Sequence, residues 1–268
     1  MIGRLDRDLL RREFNRPSPF RFVQIDGLLE PGPALEVAAS LPGFESAREQ
    51  GFSFDFVNER KKVQICDSAR FPQPVHRLHE ALASPEFLDL LGYVTGIPKL
   101  LADPTLAGGG IHVTGPAGRL DVHVDFNYDP ARNFHRRLNL LLYLNPGWNP
   151  AWGGRVELWD RDVSRCWQSI EPLHNRCVIF ETSEISFHGV TPLRCPPGAA
   201  RKSFAAYYYT TEAPPDWDGR EHSTIFRARP DEHFRRYVSM PAERLWRGAM
   251  RSLRRAKRRV AARVLRRR

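Results

Sequence analysis

The sequence predicts a mainly β domain, a sandwich or jelly roll flanked by α-helices. Three observations carry that prediction. Short β-type runs recur from about residue 105 onward, Gly, Pro and Asn separate them, and helical patterns are confined to the N-terminal third. In order, "RFVQIDGLLEPGPALEVAASLPGF" (21–44) reads as a strand, a turn at Pro31 and Pro33, and a short helix ending near Pro42 and Gly43. Helices follow over 74–84 and 84–96. The second has Ser84 as its N-cap, Pro85 at the first helical position and Gly92 and Gly96 toward its end. Strands are expected at 110–114, 119–126, 137–145, 154–159, 166–171, 176–181, 186–191 and 201–210, and "TEAPPDWDGREHST" (211–224) loses all periodicity.

At 268 residues the chain is long enough to bury a sizeable core. Its net charge of +10 suggests a nucleic-acid partner until it is located. Twelve Lys or Arg and a single acid, Glu243, fall in 242–268, a local +11, so the first 241 residues carry 10 − 11 = −1. Trp246, Met250, Leu253, Val260 and Val264 recur there at spacings of three, four and seven, broken by Lys257, with arginines on both flanks. A basic amphipathic helix suits an anionic membrane surface, nucleic acid is the alternative, and a solvated tail is the plain reading. Cys66, Cys166, Cys177 and Cys195 form no CxxC pair, which argues against a zinc ribbon or a disulfide framework and for buried thiols in a reducing compartment. "MIGRLDRDLLRREF" is charged throughout, so no secretory signal is expected, and "LNLLLYL" (138–144) is too short to span a bilayer.

Within "RLDVHVDFNYD" (119–129), His123 and Asp125 lie two apart and so share one face of a strand with Asp121, while Val122, Val124 and Phe126 take the other. A solvated face explains this as well as a site does. "SEISFHGVTPL" (183–193) adds His188 in a later strand. Two histidines and a carboxylate so arranged suit the facial triad of non-haem Fe(II), with zinc as competitor. In "ARKSFAAYYYT" (200–210), Arg201 and Ser203 share a face, and a guanidinium beside a hydroxyl suits a carboxylate. Tyr143 sits in a very apolar strand, where a buried hydroxyl needs a partner. Taken singly, Arg201 reads as a surface charge and Tyr143 as a core aromatic.

These runs in order, "GRLDVHVD", "RRLNLLLYLNPGWNPAWGGRVELW", "IEPLHNRCVIFETSEISFHGV" and "RKSFAAYYY", with Gly153-Gly154 at a turn, resemble the 2-oxoglutarate- and Fe(II)-dependent oxygenases of the prolyl 4-hydroxylase type over about residues 105–212. The resemblance implies a double-stranded β-helix, a cupin-like jelly-roll barrel. It also implies metal ligation by His123, Asp125 and His188, 2-oxoglutarate anchored by Arg201 with Tyr143 and Ser203, and L-ascorbate as reductant. Leu140, Leu142, Val190 and Phe204 are then expected to keep the site dry.

The domain reading is a helical and strand support over 1–104, an oxygenase core over 105–212, an exit loop over 213–241 and the basic tail over 242–268. The expected activity is hydroxylation of an unactivated C–H bond, first of a prolyl or other residue in a protein. Alternatives are a small molecule such as an amino acid, sugar or lipid-linked precursor, or an inactive cupin-like binding protein. The expected place is the cytoplasm, with peripheral attachment at the inner face of the membrane. Of the other polar residues, His112 is read as structural, His135 as a loop residue, Asp121 as solvated, and Asn127 and Asn139 as weak candidates for touching substrate. Trp148, Trp152 and Trp159 are read as packing around the Gly-Gly turn, and nothing in 45–100 reads as a peptide groove.

Overall fold

The computed structural model describes residues 1–16 and 18–241. The stripe from Trp246 to Val264 lies outside the described residues. Helix α1 (Arg7–Phe14) starts where the Asp6 carboxylate accepts from the backbone N–H groups of Asp8 and Leu9. Then come β1 (Phe22–Asp26), α2 (Pro31–Ser40), α3 (Phe44–Gln50), β2 (Phe52–Phe54) and β3 (Glu59–Ile65). Two helices follow, α4 (Gln73–Ala83) and α5 (Pro85–Thr95). Ser84 caps α5 by accepting from Phe87 N–H, and Gly96, at φ +72°, ends it with an N–H donated to Gly92.

The remaining strands are β4 (Leu101–Ala102), β5 (Gly110–Val124), β6 (Tyr128–Asp129), β7 (Phe134–Tyr143), β8 (Val156–Trp159), β9 (Cys166–Ile170), β10 (Arg176–Glu181), β11 (His188–Val190), β12 (Arg201–Thr210) and β13 (Ile225–Arg227). They form one curled antiparallel sheet, a half-barrel, with the central order β1-β10-β7-β12-β5-β11-β8-β9. The two runs expected at 110–114 and 119–126 are the two halves of β5, which bends at Gly115–Gly118 without breaking. Ala117 there has φ +61°, and a Cβ at Gly118 would stand 2.4 Å from Thr114 Cγ2. The first half of β5 pairs with β12 and the second with β11, so this bend turns the sheet through its corner.

The two faces of the sheet are divided by strand alternation. Leu138, Leu140 and Leu142 of β7 and Phe204 and Tyr208 of β12 join Val75, Leu78 and Leu82 of α4 and Phe87 and Leu91 of α5 in the largest core. Asn139, Leu141, Arg201, Ser203 and Tyr207, from the opposite face of the same strands, line a cavity. The expectation that Leu140, Leu142 and Phe204 shield the site is therefore corrected: they face the helices, and of the four only Val190 lines the cavity, where Leu141 joins it. Residues 213–241 are likewise more than an exit loop. They return as β13, which pairs with β5 at Val122–Val124, and end in a π-helical turn at Arg235–Ser239. Among the described residues no helix is long and apolar enough to cross a membrane.

Candidate active site

The cavity, about 700 Å³, opens on the concave side of the curled sheet. His123 and Asp125 reach it from the end of β5, and His188 from β11. His123 and His188 are register partners, so their side chains emerge on one face side by side. Asp125 completes the set, its Oδ1 3.6 Å from His123 Nε2 and its Oδ2 3.6 Å from His188 Nε2. One donor atom from each of the three residues lies within 4.8 Å of the others.

The hydrogen bonding around this trio suits a cation. His123 Nδ1 lies 2.8 Å from the Asp121 carbonyl oxygen, and His188 Nδ1 lies 3.0 Å from that of Ser186. A carbonyl only accepts, so each ring puts an N–H on Nδ1 and turns Nε2 to the shared centre. Burial, then the neighbouring His123, pushes the His188 imidazolium down to about 3. Burial opposes ionisation of Asp125, but the neighbouring Arg136 guanidinium holds its carboxyl well below the usual range. Two imidazoles and a carboxylate form a three-point oxygen and nitrogen donor set that fits Fe(II) and leaves part of its coordination sphere for other ligands.

A buried cation stands elsewhere in the same cavity. Arg201 Nε donates to the Gly154 carbonyl at 2.8 Å, and its guanidinium carbon lies 4.8 Å from the centre of the Tyr143 ring. Burial lowers its basicity, and among the described residues no carboxylate balances it. Tyr143 is fully buried and its hydroxyl has no partner at hydrogen-bonding geometry; burial pushes it up to about 12, with the Arg201 charge opposing. Ser203, register partner of Tyr143, lines the cavity with Arg201, whereas Tyr143 packs with Val156 and Phe180 and is not among the lining residues. An uncompensated guanidinium, an unpartnered hydroxyl and a serine fit an incoming carboxylate. Lys202 points the other way and donates to the Leu41 carbonyl.

Several residues behave otherwise than the sequence suggests. Asp121 is fully buried, not solvated, and pairs with Arg235 from the π-helical turn. His135 lies in β7, not in a loop, packed edge-on against Trp217. His112 lines the cavity but its Nε2 is taken up by the Gly108 carbonyl, and burial depresses its charged form. Asn127 holds Glu184 and the Arg220 carbonyl. Trp148 and Trp152 do meet edge-on beside Gly153, whereas Trp159 packs with Val122, Val124 and Phe187. Three contributors to the wall carried no sequence signal: Phe54, Asn58, Lys62 and Gln64 of the β2–β3 hairpin, Phe226 of β13, whose ring lies 5.2 Å from that of His123, and Arg136.

Residues 109–209 match the family described as the 2OG-Fe(II) oxygenase superfamily. The match spans less than half of the chain. A 78-residue stretch, 28% of the chain, is 33% identical to prolyl 3-hydroxylase OGFOD1 of Mus musculus, and covers 14% of that protein's length. The fold is shared with a prolyl-4-hydroxylase of Pseudomonas putida, at TM-score 0.55 and 18% identity over 75% of this chain and 98% of that one. It is shared also with a prolyl hydroxylase from Trichoplax adhaerens, solved with a hypoxia inducible factor peptide fragment, at TM-score 0.54 and 18% identity over 76% and 88%. The matched segment, 109–209, contains all three candidate metal ligands and the Arg201 cluster. The β2–β3 hairpin and β13, which complete the cavity wall, lie outside it.

Proposed function

We propose that the chain is a 2-oxoglutarate-dependent Fe(II) dioxygenase that hydroxylates a prolyl residue in a protein. The observation that carries this is one cavity holding both the His123, Asp125 and His188 trio and the uncompensated Arg201. In this reading His123, Asp125 and His188 hold Fe(II). Fe(II) held there would supply the oxidation of a C–H bond to C–OH by dioxygen, coupled to breakdown of 2-oxoglutarate to succinate and carbon dioxide. Arg201, Tyr143 and Ser203 take the distal carboxylate of 2-oxoglutarate, which supplies the missing counter-charge. Leu120, Phe126, Leu141, Val156 and Val190 line the cavity with apolar surface that excludes water.

A protein substrate is supported by the prolyl hydroxylase relatives and by aromatic side chains at the mouth. Phe54 and Phe56 line the cavity and Phe52 is exposed next to them, an apolar rim that suits a proline-bearing segment. L-Ascorbate is the proposed reductant that keeps iron ferrous, the cytoplasm the proposed compartment, and an anionic membrane surface the proposed partner of the basic tail. The test supplies the full chain with Fe(II), 2-oxoglutarate, ascorbate and a library of proline-containing peptides. Succinate formation matched by peptides one oxygen heavier, both absent from Asp125→Ala, is the expected result. Succinate formed only with a metabolite extract moves the substrate to the small-molecule class, and no succinate with either overturns the reading.

A further inference from the structure

The two oxygens of Asp125 are not equivalent. Each lies 3.6 Å from a histidine Nε2, Oδ1 from that of His123 and Oδ2 from that of His188, but Oδ2 alone accepts from Asn139 Nδ2 at 2.6 Å and from Arg136 Nη2 at 3.1 Å. Arg136 also donates twice to Asn139 Oδ1, from Nε at 3.0 Å and Nη2 at 2.8 Å. Those bonds fix the Asn139 amide, because its oxygen is committed to the guanidinium and its nitrogen must then aim at Asp125. The guanidinium itself is clamped, 3.6 Å from the Tyr207 ring centre and 4.7 Å from that of Phe126, and is almost wholly buried.

A backbone irregularity puts Arg136 there. Pairing of β7 with β12 jumps from Leu138–Tyr208 to Arg136–Tyr209. Unbroken alternation would place residue 137 beside Asn139, and the bulge substitutes residue 136.

We infer that Arg136 and Asn139 are positioning residues that hold Asp125 as a one-oxygen metal ligand, by filling Oδ2 with two N–H donors so that Oδ1 alone is offered. The inference rests on the metal-centre reading above. A carboxylate oxygen has two in-plane lone pairs, and two donors occupy both. A carboxylate binding through both oxygens takes up one of the positions that a three-ligand facial set leaves open, and the cosubstrate needs two of these at once.

Mn(II) alone is the probe, bound to the full chain, with metal-bound exchangeable waters counted by proton relaxation before titration with 2-oxoglutarate. Wild type is expected to hold three waters. Arg136→Ala and Asn139→Ala are each expected to hold two, and to bind 2-oxoglutarate about 10- to 100-fold more weakly, the usual scale for losing a partner of a metal ligand. Arg136→Lys, which keeps a donor and the charge, restores three waters. Should Arg136→Ala not fold, Asn139→Ala carries the test, since it removes the shorter bond and leaves the ion pair. Three waters and unchanged 2-oxoglutarate affinity in the alanine variants, whatever their Tm, overturn the inference. Wild-type protein that takes up no Mn(II) overturns the metal-centre reading itself, and the inference with it.

Discussion

His123 and His188 are direct partners across the β5–β11 pair, and their ring centroids lie 4.3 Å apart. The candidate metal centre is therefore made by a strand pairing. Whatever spreads β11 from β5 separates two donor atoms. Gly189, next to His188, sits close against β5: a Cβ there would stand 3.1 Å from both the amide nitrogen and the Cα of Val122, and 3.2 Å from Arg229 Nη2.

Gly189→Ala is accordingly expected to damage the site more than its one methyl suggests. Two of the three nearest atoms are backbone and have little room to yield, so the strands shift. Overpacking of this kind costs about 1–3 kcal/mol of stability. The measurement is Co(II) or Mn(II) affinity beside Tm. Weaker metal binding with all other geometry intact is the expected outcome, and unchanged affinity would show that the pairing tolerates the spread.

Acid should unfold the metal-free protein through His188. Its pKa is lowered in the fold, from the ordinary 6.5 to about 3. Between those values the unfolded chain binds a proton that the native state refuses, so stability is present above pH 6.5 and falls as pH drops toward 3. His188→Gln has no proton to take up. The slope of Tm against pH over that window should be shallower in this variant than in wild type, both measured in chelator. Equal slopes would place the acid-sensitive group elsewhere.

Arg201→Ala should raise the KM for 2-oxoglutarate far more than it weakens Fe(II) binding. Removing one side of a buried charge pair costs about 2–5 kcal/mol, tens- to thousands-fold in affinity. Tyr143→Phe removes one hydroxyl and should cost about 0.5–1.5 kcal/mol. Calorimetric titration of the Mn(II) protein with 2-oxoglutarate separates the two terms. Normal affinity in Arg201→Ala would move the anchor away from this strand.

Whatever the sequence writes as alternation was legible. His123 with Asp125, and Arg201 with Ser203, follow from period two, and the strand spacing gave the jelly-roll class. What failed to show depends on breaks in that period or on distant chain. Arg136 reaches Asp125 through a bulge that no residue type announces. Leu140 and Leu142 belong to an unbroken apolar run, and such a run does not say which side faces helices and which faces a cavity. Asp121 looks like a surface residue until Arg235, more than a hundred positions later, comes back to cover it. The β2–β3 hairpin and β13 meet the site only through tertiary pairing with β5.

Residues 242–268 carry twelve positive charges directly after a body that is close to neutral. Each basic residue near an anionic leaflet contributes about 1 kcal/mol at low salt, and Trp246, Met250 and Leu253 add apolar surface. Attachment therefore needs both charge and hydrophobicity. Full-length protein should co-sediment with vesicles rich in phosphatidylserine, stay in solution with phosphatidylcholine alone, and come off as salt rises past the point where charges are screened. A chain ending at Pro241 should remain in the supernatant throughout and keep its succinate-forming activity. Nucleic acid would be distinguished by a linear fall of log affinity with log salt on DNA, and by no preference between the two vesicle types. Retention of full-length protein on DNA with neither vesicle bound would replace the membrane proposal with a nucleic-acid one.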